Sequence, residues 1–188
     1  MWYGKGPGVD RSGDALKHGN VYGSSPMGGV LVVAGDDHGC VSSSMPHQSD
    51  LAMQAWSMPV LHPANVAEYL EFGLYGWALS RFSGAWVGFK AISEVVESGM
   101  TVDLDAVPLD FTLPVDFKPA QPLHVRAFDL PSLALEERLA AKLDAVRAFA
   151  RLNSLDKHIV SSPRATLGIV TVGKAHFDFM EVLRRLEL

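Results

Sequence analysis

Short apolar runs alternate with one long helical pattern in the first half of the chain. The runs at 30–34, 59–61 and 85–89 have the length of buried strands. Over 65–81, apolar residues recur every three or four positions, which predicts one buried face of a helix. This order of strand, loop, strand, helix and strand predicts an α/β fold with a parallel sheet and flanking helices.

The second half of the chain combines weaker strand patterns with a long amphipathic helix. A helical turn is predicted at 93–97 and a fourth strand at 101–104. Five of the eleven prolines fall within 106–131, so this stretch is predicted to be a linker. An amphipathic pattern follows and predicts a helix that begins after Ser132, as its N-cap, and ends near Asn153.

The two ends of the chain look incomplete in this interpretation. Ten of the 17 glycines lie in the first 40 residues, which predicts mainly turns and no strand ahead of 30–34. A strongly apolar strand is predicted at 165–172 and a helix at 177–186. A single βα unit leaves its strand without neighbours, so we expect both ends to lie within folds that continue beyond the chain.

Composition and charge argue against several kinds of partner for this chain. Of the 188 residues, 48% are hydrophobic and 20% charged, which is typical of a folded globular chain. The formal net charge of −5 argues against a nucleic-acid partner. No apolar run approaches the ~18–20 residues that span a bilayer, and the N-terminus has no signal-peptide pattern, so no membrane partner is expected. The single cysteine, Cys40, excludes an internal disulfide and favours a cytoplasmic location.

The glycine-rich segment 4–14 is the densest candidate for ligand binding. Its glycines let the backbone approach a ligand closely, and Lys5 and Arg11 are suited to a phosphate or a carboxylate. No Gly-Lys-Ser/Thr closes the segment, so it is not a P-loop, and without a preceding strand a dinucleotide site has little support. The alternative interpretation is a flexible surface loop.

A second polar cluster follows the first predicted strand. Asp36, Asp37 and His38 come directly after it, at the position where α/β folds place ligand chemistry. Three serines at 42–44 and His47 follow within a dozen residues. This density favours a site, and the alternative is that the aspartates cap a helix while the serines make turns.

The residue spacing favours neither of two conceivable metal sites. A Gly-Asp-Gly followed ~25–30 residues later by Asn provides oxygen ligands for Mg²⁺ and diphosphate. Here Gly35-Asp36-Asp37 lacks the second glycine, and Asn65 at the matching distance is better suited to capping the predicted helix. The spacing of His38 and His47 matches no zinc signature. No metal ligand and no catalytic residue is therefore assigned.

These features fall in three long runs, WYGKGPGVDRSGDALKHGN, GGVLVVAGDDHGCVSSSMPHQSD and GLYGWALSRFSGAWVGFKAISEVVES. The runs span about residues 2–105 and resemble the indolepyruvate ferredoxin oxidoreductase family, more specifically its large fused bacterial form. The resemblance implies that 1–105 form the later half of the pyrimidine-binding domain of a thiamine diphosphate-binding fold. It makes 106–160 a connection, with a Pro-rich linker and an amphipathic helix, and 161–188 the start of a transketolase-C-like domain.

The resemblance also implies a reaction. The family converts 2-oxo acids, typically aryl pyruvates, and coenzyme A to acyl-CoA and CO₂. Thiamine diphosphate with Mg²⁺ supplies the carbanion chemistry, and two electrons pass one at a time through iron–sulfur clusters to ferredoxin. The implied partners are the 2-oxo acid, coenzyme A, ferredoxin, the remaining domains of the same polypeptide and a second copy in a homodimer.

By the same resemblance, Lys5 holds the position of the basic residue that meets the substrate carboxylate. The backbone of 6–8 would line the same cleft, and the cluster after the first strand would lie near the cofactor or the subunit interface. The full set of candidate binding residues is Lys5, Gly6, Pro7, Gly8, Asp10, Arg11, Asp36, Asp37, His38, Ser43 and His47.

This chain departs from the family pattern in three respects. The glutamate that protonates the pyrimidine ring would lie before Met1, the Gly-Asp-Gly…Asn domain would lie after Leu188, and there is no cysteine cluster for an iron–sulfur centre. We therefore expect a fragment that is inactive by itself and holds no complete cofactor site. The alternatives are an oxidoreductase for a different 2-oxo acid, a non-catalytic interaction or assembly subunit that retains this half-domain, and, more remotely, a metal-dependent hydrolase.

Overall fold

Four parallel strands form the centre of the fold, in the order β1-β2-β4-β3. This computed structural model describes residues 1–126, 129 and 132–188. The strands are β1 Trp2–Lys5, β2 Leu31–Asp36, β3 Val60–Leu61 and β4 Val87–Ile92. Lys5 is in register with Gly35, and Asp36 is in register with Ile92. The carboxyl ends of the strands therefore meet along one side of the sheet, which we call the carboxyl edge.

Seven α-helices are described around this sheet. They are α1 Gly6–Arg11, α2 Gly13–Tyr22, α3 Asp50–Ala55, α4 Val66–Ser83, α5 Ser93–Val96, α6 Ala134–Leu152 and α7 Ala175–Arg185. The predicted α/β class, with a parallel sheet and flanking helices, is confirmed.

Helices cover both faces of the sheet. On one face, Leu31 and Phe89 belong to a core shared with α4 and with the fully buried Phe149 of α6. On the other face, Val32 and Ala34 share a core with α1, α2 and α3. The buried helical residues of that second core are Val9, Leu16 and Met53. Because successive residues of β2 point to opposite faces, this strand contributes to both cores.

Helix α4, which packs on β2 and β4, has well-defined ends. The Asn65 side chain accepts a hydrogen bond from the Glu68 amide at 3.0 Å, and the Glu68 carboxylate accepts one from the Ala64 amide at 2.7 Å. This capping arrangement satisfies two amides at the helix start. Gly84 ends the helix with a φ of +74°, a left-handed conformation that glycine adopts without a steric penalty. The predicted helix and the capping role of Asn65 are confirmed.

The prediction that the N-terminal segment consists mainly of turns is wrong. A strand, β1, runs into the glycine-rich segment 4–14, and two helices, α1 and α2, follow. At some of the glycines in these helices, a ring occupies the space that a Cβ would need. A Cβ on Gly6 would lie 2.0 Å from the His47 ring, and one on Gly19 would lie 2.2 Å from the Trp86 ring. Glycine serves here for close packing rather than for chain reversal.

Two of the predicted strands do not form. Residues 101–103 have no regular structure, and a 3₁₀ turn follows at Leu104–Ala106. Residues 165–172 are also irregular and lie on the surface, where the Val170 side chain is 93% exposed. A strand needs a neighbouring strand to pair its backbone amides and carbonyls, and neither segment lies alongside β1 or β3 in the sheet. Of the predicted βα unit at the end of the chain, only the helix, α7, is observed.

The connection between the sheet and α6 crosses the surface without regular structure from 107 to 126, apart from turns, in agreement with its proline content. Pro131 lies outside the described residues. Ser132 precedes α6, and its hydroxyl accepts a hydrogen bond from the Ala134 amide at 3.0 Å. Within the described part of the chain, no helix has the length and apolar character needed to cross a bilayer.

Candidate functional site

Charged and polar side chains from three parallel strands gather at the carboxyl edge. Lys5 is the last residue of β1, Asp36 is the last residue of β2, and Asp37 follows it directly. Lys90 lies within β4 and is 4% exposed. The carboxyl edge is where parallel sheets place ligand chemistry, so this group of residues is the candidate site.

Lys5 contributes an exposed ammonium group to the site. Its Nζ donates to the Ser42 carbonyl at 2.5 Å and to the Ser42 hydroxyl at 2.9 Å. Lys5 ends β1 and is also the N-cap residue of α1, where Pro7 occupies the first turn, so both elements fix its position. An ammonium group has three donors, so Lys5 can bind an anion here.

Asp37 anchors the chain that follows β2. Its carboxylate accepts hydrogen bonds from the Val41 and Ser42 amides, both at 2.8 Å. Its carbonyl accepts a hydrogen bond from the His47 amide at 3.0 Å. The hydrogen bonds from the Ser42 and Val41 amides are the main cause that holds the pKa of the Asp37 carboxyl below its usual range, and the positive charge of Lys5 lowers it further. Asp37 is therefore ionised and acts as an acceptor at neutral pH.

Asp36 lies in a buried polar network that sequence reasoning covered only in part. Its carboxylate accepts hydrogen bonds from the Ser49 amide at 2.8 Å and the Ser49 hydroxyl at 2.7 Å. Lys90 Nζ lies 3.6 Å from Asp36 Oδ2 and donates to Asp50 Oδ2 at 2.6 Å. Ser49, Asp50 and Lys90 were not predicted as site residues. The available signal for Lys90 was a lysine inside an apolar run, because a charge in a buried strand requires a partner.

His47 connects α1 to β2 across the carboxyl edge. Its Nε2 lies 2.9 Å from Asp10 Oδ2, and its Nδ1 lies 3.6 Å from Asp36 Oδ1. The hydrogen bond with Asp10 is the main cause of a raised His47 pKa, against an opposing effect of burial. The ring packs on Gly6, so α1 and the chain after β2 are held together by both shape and charge.

We predict that His47 titrates above pH 6.5, which an NMR titration of the histidine ring protons would measure. The sign for stability follows from the raised pKa: the contribution of His47 is complete below pH 6.5 and is lost as the pH rises through its folded-state pKa. Asp10→Asn should lower the His47 midpoint and flatten this dependence. His62 is the internal contrast, because burial lowers its pKa. A His47 midpoint at or below 6.5 would contradict the prediction.

The remaining predicted residues are distributed unevenly around the network. Gly6 is buried, whereas a Cβ on Gly8 would meet open space. Arg11 is exposed at the end of α1 and forms no hydrogen bond or ion pair with the described residues. His38 and Ser43 lie between Asp37 and His47, and their Nε2 and Oγ atoms are buried without hydrogen-bond partners in the described part of the chain. The structure thus brings Lys5, Asp10, Asp36, Asp37 and His47 together and leaves Arg11 outside.

A depression of about 360 Å³ opens beside Lys5. Its apolar lining comes from Val33, Ala91 and Val96, with the 78% exposed ring of Tyr3 at its side. Its polar lining includes Lys5, Asp36, Asp37, Ser42, Ser93 and Glu97. The apolar wall and the Lys5 ammonium group can receive a small molecule with an apolar body and an acidic group, which has to reach Lys5 against the carboxylates of Asp36, Asp37 and Glu97 in the same lining. A second depression, of about 350 Å³, lies at the amino ends of the strands, away from these charges.

Neither a metal-binding group among the described residues nor a match to a known protein adds to the description of this site. The described residues contain no group of three or more His, Cys, Asp or Glu side chains that could hold a metal ion. No family model, no curated protein and no solved structure matches the chain.

Proposed function

We propose that the chain is part of a thiamine diphosphate-dependent 2-oxoacid:ferredoxin oxidoreductase of the indolepyruvate type. The reaction consumes an aryl 2-oxo acid, coenzyme A and two oxidised ferredoxins, and yields acyl-CoA, CO₂, two reduced ferredoxins and a proton. In this proposal the chain provides one wall of the substrate site and is inactive by itself.

The position of Lys5 carries the proposal. Lys5 ends an observed strand at the carboxyl edge and is followed directly by Gly6 and Pro7 at the start of α1. Its ammonium group borders the depression, and the backbone carbonyl and hydroxyl of Ser42 are its partners. Both partners are neutral oxygens, so a substrate carboxylate offers Lys5 a stronger, charge-assisted hydrogen bond.

The lining of the depression supports an aryl side chain. Val33 and Ala91 form apolar surface on neighbouring strands, and Val96 of α5 adds to it. Burial of apolar surface stabilises a bound ring by about 25 cal/mol per Å². A 2-oxo acid with a planar aromatic group would place the ring against this surface and the carboxylate at Lys5.

The cofactor belongs to other domains in this proposal. Thiamine diphosphate supplies the carbanion chemistry when bound. The described residues do not offer the oxygen-rich ligand group that its Mg²⁺ requires, and the single cysteine of the chain does not form an iron–sulfur site. We therefore assign to this chain only the binding and orientation of the substrate, with no step through the cofactor.

A titration of the ¹⁵N-labelled chain with phenylpyruvate tests the substrate site. We expect saturable amide shifts around Lys5, Val33 and Ala91, with a Kd of about 1 mM, which corresponds to about 4 kcal/mol. Lys5→Ala should weaken binding by about 10-fold, because it removes the cation that meets the carboxylate.

Lys17→Ala is the matched control, because Lys17 is exposed on α2 and lies outside the lining of the depression. Phenylacetone, which keeps the ring and the ketone but lacks the carboxylate, should bind about 10-fold more weakly. Equal binding by the parent chain and by Lys5→Ala would overturn the role of Lys5.

One observation favours the alternative of a non-catalytic assembly subunit. Residues 165–172 expose large apolar side chains, including Leu167 at 75% and Val170 at 93%. Reading the coding sequence on both sides of the codons for Met1 and Leu188 separates the two proposals. An open frame into a glutamate-bearing half-domain upstream and into Gly-Asp-Gly…Asn downstream supports the oxidoreductase. A start signal and a stop codon at these positions would favour the assembly subunit.

A further inference from the structure

The chain between Asp37 and His47 forms a loop, residues 38–46, whose two ends are fastened together. Asp37 and His47 pair as an isolated antiparallel bridge, and the His47 amide donates to the Asp37 carbonyl at 3.0 Å. At its base, the loop is also held by the His47 ring, which contacts Asp10 of α1. The two ends of the loop are therefore held together at its base.

The tip of the loop is held much more weakly. Val41 and Met45 are 69% and 72% exposed, so the tip contributes little to either core. Its hydrogen bonds to residues outside the loop are the pair from Lys5 Nζ to Ser42 and the pair that the Asp37 carboxylate accepts from the Val41 and Ser42 amides. Few buried contacts and an exposed hydrogen bond are the features of a segment that opens locally at small cost in free energy.

We propose that the 38–46 loop is an autoinhibitory lid. In the closed state, the Ser42 carbonyl and hydroxyl accept hydrogen bonds from the Lys5 ammonium group that a substrate carboxylate requires. A carboxylate that accepts through both oxygens needs two of the three Nζ donors, and Ser42 leaves one free, so binding displaces Ser42 and lifts the loop tip away from β1. This inference rests on the proposed function only in identifying the competing ligand as a 2-oxo acid. Closure of the loop by Lys5 is a property of the chain itself.

Asp37 is the positioning residue of this lid. Its carboxylate accepts the Val41 and Ser42 amides and so turns the Ser42 carbonyl towards Lys5. Asparagine has the same size, but its amide presents one acceptor oxygen in place of the two carboxylate oxygens. Asp37→Asn should therefore loosen the tip without removing a side chain from the base.

Cys40 reports on opening, because it is the only cysteine in the chain and lies inside the loop. In the closed state its thiol lies 2.8 Å from the Ser43 carbonyl. We expect Lys5→Ala and Asp37→Asn to raise the rate of Cys40 modification by a disulfide reagent by about 10-fold. Lys17→Ala, which leaves the loop contacts intact, should react at the parent rate.

Urea separates local opening from unfolding of the whole chain. Lifting the tip exposes little surface, so the modification rate should barely respond to low urea, whereas a route through global unfolding would accelerate steeply. Equal Cys40 rates in the parent and Lys5→Ala chains, or a steep urea dependence in both, would overturn the lid.

Phenylpyruvate provides the second arm of the experiment. In the parent chain it should raise the Cys40 rate along a saturation curve with the Kd seen by NMR, and in Lys5→Ala it should have no effect. Saturable NMR binding with an unchanged Cys40 rate would overturn the lid and leave the proposed function standing. An absence of phenylpyruvate binding, with a 10-fold faster Lys5→Ala rate, would overturn the proposed function and support closure of the loop by Lys5.

Discussion

Replacing Phe149 by alanine is expected to lower the free energy of unfolding by about 3–5 kcal/mol. The Phe149 ring is fully buried where α6 meets α4. Its centroid lies 5.2 Å from that of Tyr75, 5.8 Å from that of Phe82 and 6.2 Å from that of Phe111. Alanine would lose the transfer free energy of the ring, leave a cavity, and remove three aromatic contacts at once.

Urea unfolding followed by circular dichroism measures this loss. Phe177→Ala in α7 is the matched control, because it removes the same atoms from a ring that is 45% exposed. It should cost about 1 kcal/mol or less. If the two variants lose similar stability, α6 does not share a core with the sheet as described.

The strands and helices that sequence patterns predicted best are those that pack against others in the chain. The helix over 65–81 forms as α4, because its apolar face meets the sheet and Asn65 satisfies its first turn. The run 165–172 has an equally clear pattern but no strand beside it, so it stays irregular and exposed. Periodicity indicates which residues prefer burial, but it does not reveal whether a partner is present.

The N-terminal prediction failed for a different physical reason. Glycine is a poor helix former, and its frequency there pointed to turns. At Gly6 and Gly19 the residue is required because the His47 and Trp86 rings approach the backbone. Those contacts join residues 41 and 67 positions apart along the chain, as the numbering shows, so no local window of sequence contains the information.

The candidate site was easier to predict than the segment that carries it. Asp36 and Asp37 follow a predicted buried strand, so their place at the carboxyl edge follows from topology. Their proximity to Lys5 depends on β1, a strand that the sequence patterns did not predict. The partners of Asp36 could not be derived in the same way. Ser49 and Lys90 come from a loop and from inside a strand, and they are selected by burial, which the sequence alone does not give.

The largest electrostatic effect is expected at Arg138, where methionine in its place should cost about 3–5 kcal/mol. The Arg138 side chain is fully buried, and its guanidinium group pairs with Asp129 and donates to the Tyr22 carbonyl at 3.2 Å. That carbonyl belongs to the last turn of α2, whose negative end favours a cation. Methionine fills a similar volume but leaves the Tyr22 carbonyl without this donor and leaves Asp129 with the partly exposed Arg126, at 3.2 Å, as its remaining ion-pair partner among the described residues.

Lys142 completes the same arrangement one turn further along α6. Its Nζ donates to the Asn20 and Val21 carbonyls at 2.8 and 2.9 Å, and burial, with the charge of Arg138 as the second cause, lowers its pKa to about 7. Arg138 and Lys142, both buried, thus donate to three consecutive carbonyls at the end of α2. Since Lys142 remains in the Arg138→Met variant, the loss should destabilise the chain without preventing folding.

Arg147→Met is the control for Arg138→Met, because it removes an arginine from the same helix. Arg147 pairs with Asp144 at 2.8 Å, but both side chains are more than 60% exposed, at 61% and 65%, so solvent screens the pair. The control should change the free energy of unfolding by no more than about 0.5 kcal/mol. Arg138→Lys should fall between the two, because lysine keeps the charge but lacks the planar fork of donors that serves Asp129 and Tyr22 together. Equal losses for Arg138→Met and Arg147→Met would show that the buried pair does not hold α6 against α2.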